Sequence, residues 1–274
     1  RSIDKNMIGT QRFTDGCTGK KTFVMGIINI TDDSFYDASR CLSEKQLEEK
    51  VNSFIAQGVD VLDVGACSTR PGAEPVSEEA EMSRIAFALE FVTSKFPNLR
   101  LSVDTFRGNV AKFALEKKND VIVNDVYAFD KDENMLGVLS DYKPTYVLTH
   151  YGNVSETSDF MREIIEFFEK KISILHGREV FDIIIDPGYG FGKTMRQNFE
   201  LLKRQSELKH FGLPILAGLS RKRMVWQSLQ ITPQEALNGT TVLNTIAVRN
   251  GADILRVHDV KEAKEVAELC GLVN

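Results

Sequence analysis

The stretch FDIIIDPGYGFGK at 181–193 holds one repeat unit of this chain in compressed form. Three consecutive isoleucines make a run that is apolar on both faces, as expected of a parallel strand covered on both sides. The run ends in a carboxylate, Asp186, and breaks at once into proline and glycines. Short β-branched runs of this kind recur at 23–29, 59–65, 100–105, 121–125, 145–150, 181–187, 213–219 and 252–259, eight in all. Longer segments with helical spacing separate them. Ser77-Glu-Glu opens one with an N-cap and an acidic first turn, and Ile85, Leu89 and Val92 share a face. Another carries Phe160, Ile164, Phe167, Phe168, Ile172 and Leu175 on one stripe.

Strand–helix alternation implies a parallel sheet. Eight units in 274 residues predict a closed (β/α)8 barrel, an α/β TIM barrel forming a single domain over 23–274, with an open doubly wound sheet as the alternative. Residues 1–22 precede the first strand, and a small hairpin at the barrel bottom is the expectation there.

Composition narrows the function classes. The chain is 42% apolar and 27% charged, ordinary values for a globular protein. Its 34 Lys and Arg against 39 Asp and Glu give a net charge of −5 without long single-sign runs. That argues against nucleic acid or an acidic membrane as partner, so an anion site has to be local. Cys17, Cys41, Cys67 and Cys270 stand far apart with no CxxC, which speaks against structural zinc and for reduced thiols. No window reaches the roughly 18 apolar residues of a membrane span, and nothing reads as a cleavable leader. A cytoplasmic protein is expected.

In a barrel of this class the active site lies where the strands end. Those ends carry Asn29, Asp104, Asn124-Asp125, His150, Asp186, Ser220-Arg221-Lys222, Arg256 and His258, with Thr69-Arg70-Pro71 after the second run. Taken singly, each has a structural explanation. Asp and Asn cap the next helix, Ser220 does the same, Arg70 and Arg221 are surface charges, and His150 and His176 are satisfied by neighbours. The shared rim is what those explanations leave over. The glycine run GYGFGKT at 188–194 fits neither a Walker loop nor GxGxxG, which removes ATPase and nicotinamide chemistry. Carboxylates and an amide (Asp104, Asp186, Asn124) suit a flat heterocycle with several N–H donors. Arg256 and His258 lie where barrels hold phosphate, with Arg70 as a second cationic arm. Asn29 offers a hard oxygen suited to Mg²⁺ shared with a phosphate.

Together the segments MGIINITDDSF at 25–35, STRPGAEPVSEEAE at 68–81, SVDTF at 102–106, VND at 123–125, DPGYGFGKT at 186–194, GLSRK at 218–222 and RVHDV at 256–260 resemble the dihydropteroate synthases, pterin-binding enzymes of folate biosynthesis. The resemblance implies a dimeric (β/α)8 barrel. It implies a transferase that condenses 6-hydroxymethyl-7,8-dihydropterin pyrophosphate with 4-aminobenzoate and releases pyrophosphate. On this pattern Asp104, Asn124, Asp186 and Lys222 hold the pterin ring, and Asn29 ligates Mg²⁺ on the pyrophosphate. Arg256 and His258 bind that anion, while Thr69, Arg70, Pro71, Phe35 and Ser220 surround the aminobenzoate.

The sequence also departs from the pattern. Asp32 stands where the family has Pro, Ala38-Ser39 where it has a Gly pair, Ala66-Cys67 where it has a small-residue/Glu pair, and HYGN at 150–153 replaces a His-Met-Arg run. Losing the proline and the glycines changes the conformations open to the first loop. Two other readings compete: a pterin-dependent methyltransferase, which has no need of STRP, GLSRK or RVHDV, and a non-catalytic pterin-binding paralogue, which the altered first loop favours.

Overall fold

The computed structural model of the protein describes residues 21–30, 40–66, 76–156 and 159–273. The expected N-terminal hairpin lies outside them, as do Phe35, Thr69, Arg70 and Pro71 and the altered loop positions Asp32, Ala38 and Ser39.

Eight strands alternate with helices. In chain order they are β1 Phe23–Asn29, α1 Arg40–Ala56, β2 Val61–Gly65, α2 Glu78–Lys95, β3 Arg100–Asp104, α3 Gly108–Lys117, β4 Ile122–Asp125, α4 Glu133–Tyr142, β5 Tyr146–Thr149, α5 Phe160–His176, β6 Ile183–Asp186 and α6 Met195–Arg204. A 3-10 turn at Gln205–Phe211 leads to β7 Leu216–Ala217, α7 Arg223–Leu229, α8 Leu237–Arg249, β8 Ile254–Val257 and α9 Val260–Leu272. The strands are all parallel, in the order β6-β5-β4-β3-β2-β1-β8-β7. A single parallel bridge, Ile185 to Ile215, joins the two ends. The sheet is therefore a nearly closed barrel and not the open doubly wound alternative. The run expected to be a strand over 213–219 narrows to two residues because Pro214 has no N–H to give a ladder.

Two apolar layers result. Helices cover the outside of the sheet through residues such as Phe54, Leu62, Ile85, Leu101, Leu148, Phe168 and Leu255. The α2 and α5 faces are buried as their spacing predicts, with Phe167 only half-buried. Ser77 accepts from Ala80 N at 3.2 Å and caps α2. Thr194 and Gln197 form a capping box on α6. Inside the barrel, Met25, Val61, Ile122, Val147, Ile184, Leu216 and Ile254 form a separate plug.

That plug positions the site. Side chains alternate along a strand, so the residues two and four positions beyond the plug also face inward. Among them are Ile27 and Asn29, Asp63 and Gly65, Asn124, Thr149, Asp186, Gly218, and Arg256 with His258. The barrel is thus apolar at its centre and polar at the C-terminal mouth.

Candidate active site

Arg256 sits at the centre of this mouth. Its Nε donates to Asp63 Oδ2 at 2.7 Å and its Nη2 to Asp104 Oδ2 at 2.6 Å. Asn124 Nδ2 leans on the same Asp63 carboxylate at 3.3 and 3.4 Å. Of the residues singled out in the sequence, Asp104 therefore meets Arg256 directly, and Arg256 meets Asn124 through Asp63, a residue the sequence reading passed over. Its signal was present: a charged residue inside VLDV, two positions beyond an inward valine. Burial is the chief effect on Asp104 and pushes its carboxyl up to about 7, Arg256 pulls it down, and Asp63 adds to the rise. Arg256 is the anion-site candidate, and its charge is already shared by two carboxylates.

Across the mouth, Asp186 Oδ1 accepts from Gly188 N at 2.8 Å. Burial raises its carboxyl, and the Lys222 ammonium opposes that rise. Lys222 Nζ donates to the carbonyl of Tyr189 and lies 4.6 Å from the centre of the Phe191 ring. Its own ammonium is pushed down to about 8 by burial, against the pull of Asp186. Gly218 lies at the floor between the two charges, where a Cβ would stand 3.8 Å from Lys222 Nζ and 4.0 Å from Asp186 Oδ2.

The loop from β6 to α6 brings Tyr189 and Phe191 to Lys222. Gly188 and Gly192 have φ of +71° and +73°, and Cβ atoms there would stand 1.8 Å from His150 O and 2.3 Å from Gly152 C. Only glycine meets both demands. Lys193 turns back into the same loop. Its Nζ reaches the carbonyls of Gly188 at 2.9 Å and Phe191 at 3.2 Å, and His150 Nδ1 at 2.9 Å. Burial lowers the Lys193 ammonium to about 7 and the His150 imidazole to about 3, so His150 stays neutral. GYGFGK is thus a stapled wall of the site and not a phosphate cradle.

Ser220 Oγ lies 3.0 Å from His258 Nδ1 and accepts from His258 N at 3.1 Å, which joins the ends of β7 and β8. It does not cap α7, whose N-cap is Lys222. Arg221 is structural, paired with Asp259 at 2.8 and 2.9 Å. Asp125 is structural too: its carboxylate takes Tyr127 N, Phe129 N and Tyr146 Oη at 2.7–2.9 Å. His176 packs on Phe181, ring centres 5.2 Å apart.

Asn29 ends β1 with its side chain exposed. A Cβ on Gly65 would stand 3.4 Å from Asn29 Oδ1 and 3.7 Å from Asp104 Oδ2, so two hard oxygens converge over that glycine. Among the described residues no group of three His, Cys, Asp or Glu could enclose a metal. The donor set fits an ion held by one or two protein oxygens and completed by substrate phosphates.

The sequence matches the family described as pterin binding enzymes over residues 25–258. It is 36% identical over 269 residues to a dihydropteroate synthase of Clostridium beijerinckii, covering 97% of this chain and 98% of that one. It is 35% identical to the Escherichia coli dihydropteroate synthase over 250 residues, 88% of each chain. Its structure superposes on a dihydropteroate synthase from Clostridium difficile crystallised with pteroic acid, with a TM-score of 0.87, 35% identity and coverage of 93% and 97%. Against the Xanthomonas albilineans enzyme with 4-aminobenzoic acid the TM-score is 0.84, with 32% identity and coverage of 92% and 93%. On sequence and structure together, this chain belongs to the pterin-binding enzymes, as a member of the dihydropteroate synthase family.

Proposed function

We propose that the chain condenses 6-hydroxymethyl-7,8-dihydropterin pyrophosphate with 4-aminobenzoate to give 7,8-dihydropteroate and pyrophosphate. One observation carries the reading: Asp104 and Asp63, both bonded to Arg256, and Asn124 on Asp63 face Asp186 and Lys222 across one barrel mouth. A dihydropterin offers N–H donors to carboxylates and a carbonyl to a cation, which suits that division of charge. Asp186 takes the amide–amidine edge of the ring, Lys222 the oxo group, and Asp104 with Asn124 the opposite edge.

The exocyclic C–O bond breaks as pyrophosphate departs, and the electron pair leaves with that oxygen. Arg256 and His258 stabilise the growing anion. Asn29 is the residue that would hold a Mg²⁺ ion, whose charge would neutralise the leaving group. Cationic character left on the pterin faces the Asp104 and Asp186 carboxylates. The aromatic amine then forms the new C–N bond and sheds a proton, so no side-chain nucleophile is needed. Ser220 is assigned to the aminobenzoate, and the family motifs assign Phe35, Thr69, Arg70 and Pro71 to the same substrate. The protein acts as a homodimer, a reading supported by exposed Val242 and Ile246 on α8 and by Leu269 and Leu272 on α9. A cytoplasmic setting is supported by the free, buried thiol of Cys270.

The test is turnover by purified protein with both substrates and Mg²⁺, following dihydropteroate and pyrophosphate together. Equal amounts of both, lost on chelation, are expected. Tight pterin binding without product would overturn the proposal in favour of a non-catalytic paralogue.

A further inference from the structure

Three buried side-chain atoms among the described residues have no hydrogen-bond partner: Ser102 Oγ, Thr149 Oγ1 and Asn244 Oδ1. Asn244 lies on α8, outside the barrel. Ser102 lies low in the barrel, between Asp63 and Ile122 on the neighbouring strands. Thr149 is placed differently. It is the last residue of β5, fully enclosed, and two positions beyond Val147 of the inner plug, so it faces the barrel interior. Its ladder partner on β6 is Asp186. A hydroxyl enclosed without a partner bears its full desolvation cost, and native proteins seldom leave one so unless something else supplies the partner.

The chemistry beside it names that partner. An ionised carboxylate binds two parallel N–H donors best, as it does with a guanidinium. The amide–amidine edge of a pterin presents such a pair, the ring N3–H and one proton of the 2-amino group. With both on Asp186, the second 2-amino proton is left over and needs an acceptor outside that fork. We infer that Thr149 Oγ1 accepts this second proton and makes the site selective for heterocycles that carry a 2-amino group. The inference rests on the pterin reading above and adds a residue to it. Thr149 is then a substrate contact, and the unpartnered hydroxyl is a cost carried by the free enzyme and relieved on binding.

The two states give opposite signs, which separates a ligand contact from a structural role. Thr149→Val keeps the shape and removes the hydroxyl, and Thr149→Ser keeps the hydroxyl. Calorimetric titration with 6-hydroxymethylpterin is expected to show Thr149→Val binding roughly tenfold more weakly than wild type, with Thr149→Ser close to wild type. Without ligand, Thr149→Val is expected to unfold about 2–4 °C higher than wild type. With the 2-desamino analogue of the same pterin, wild type and Thr149→Val should bind alike. Equal affinity of Thr149→Val and wild type for the pterin would overturn the inference. So would a lowered unfolding temperature together with the same affinity loss for both ligands, the mark of a packing role. Failure of wild type to bind the pterin at all would overturn the functional reading itself, and this contact with it.

Discussion

At the mouth of the barrel the carboxylates Asp63, Asp104 and Asp186 face the cations Arg256 and Lys222, and burial is the chief influence on how Asp104 and Lys222 titrate. Burial raises Asp104 to about 7 and lowers Lys222 to about 8. Asp104 is ionised above its value and Lys222 is protonated below its own, so both charges coexist only in a narrow window between them. The expected kcat/KM profile is a narrow bell with limbs near pH 7 and 8, and Lys222→Arg is expected to remove the alkaline limb. A profile flat from pH 6 to 9 would contradict both assignments. Arg256→Met leaves Asp63 and Asp104 without their cation and is expected to cost about 3 kcal/mol of folding stability, measured by denaturant unfolding. It should also weaken a pyrophosphate-bearing pterin more than the bare ring, whereas equal losses would refute the anion role. At this scale the sequence was legible where a polar residue ended a run, as at Asp104, Asn124 and Asp186. Asp63 escaped because it sits inside its run, and only the barrel shows that this position points inward.

Among the described elements, the β6–α6 loop shapes the site through its backbone geometry. Gly188 and Gly192 let it press against the chain after β5, and Lys193 ties its carbonyls to His150. That packing aims the Tyr189 carbonyl and the Phe191 ring at Lys222. Gly192→Ala adds strain at positive φ to a collision with Gly152. It is expected to lose more than about 1 kcal/mol in denaturant unfolding and to weaken pterin binding by shifting the Lys222 partners. Unchanged binding would mean the loop does not position Lys222. The sequence marked this loop by its glycines and excluded both phosphate-loop templates. It gave no sign of the staple, since Lys193 and His150 lie 43 positions apart and meet only through the pairing of β5 with β6. The strand and helix pattern was legible over the described residues because the helix-covered face of the strands and the centre of the barrel are both apolar. Strand ends were less so, as at β7, where Pro214 interrupts an otherwise suitable run.

For the whole molecule, the weak place in the wall and the site coincide. Seven of the eight junctions between neighbouring strands are ladders, while β6 and β7 share one bridge, supported by Ile185 N donating to Pro214 O at 2.9 Å. Asp186 lies on one side of that seam, and Gly218 and Lys222 follow β7 on the other. A ring held by Asp186 and Lys222 together therefore spans the seam, and its binding energy opposes the seam's opening. By mass action, a ligand at about 100 times its Kd adds about 2.7 kcal/mol to stability. Local opening should feel that most where fewest backbone bonds resist it. Hydrogen exchange with and without 6-hydroxymethylpterin is thus expected to slow most at Ile185, Leu216 and Ala217, and least at the β2–β3 ladder, where five residue pairs hold the strands. Protection spread evenly over all eight strands would show that the ligand stabilises the barrel only globally. Protection confined to β2–β3 would place the ring on the Asp63 side and separate it from Lys222.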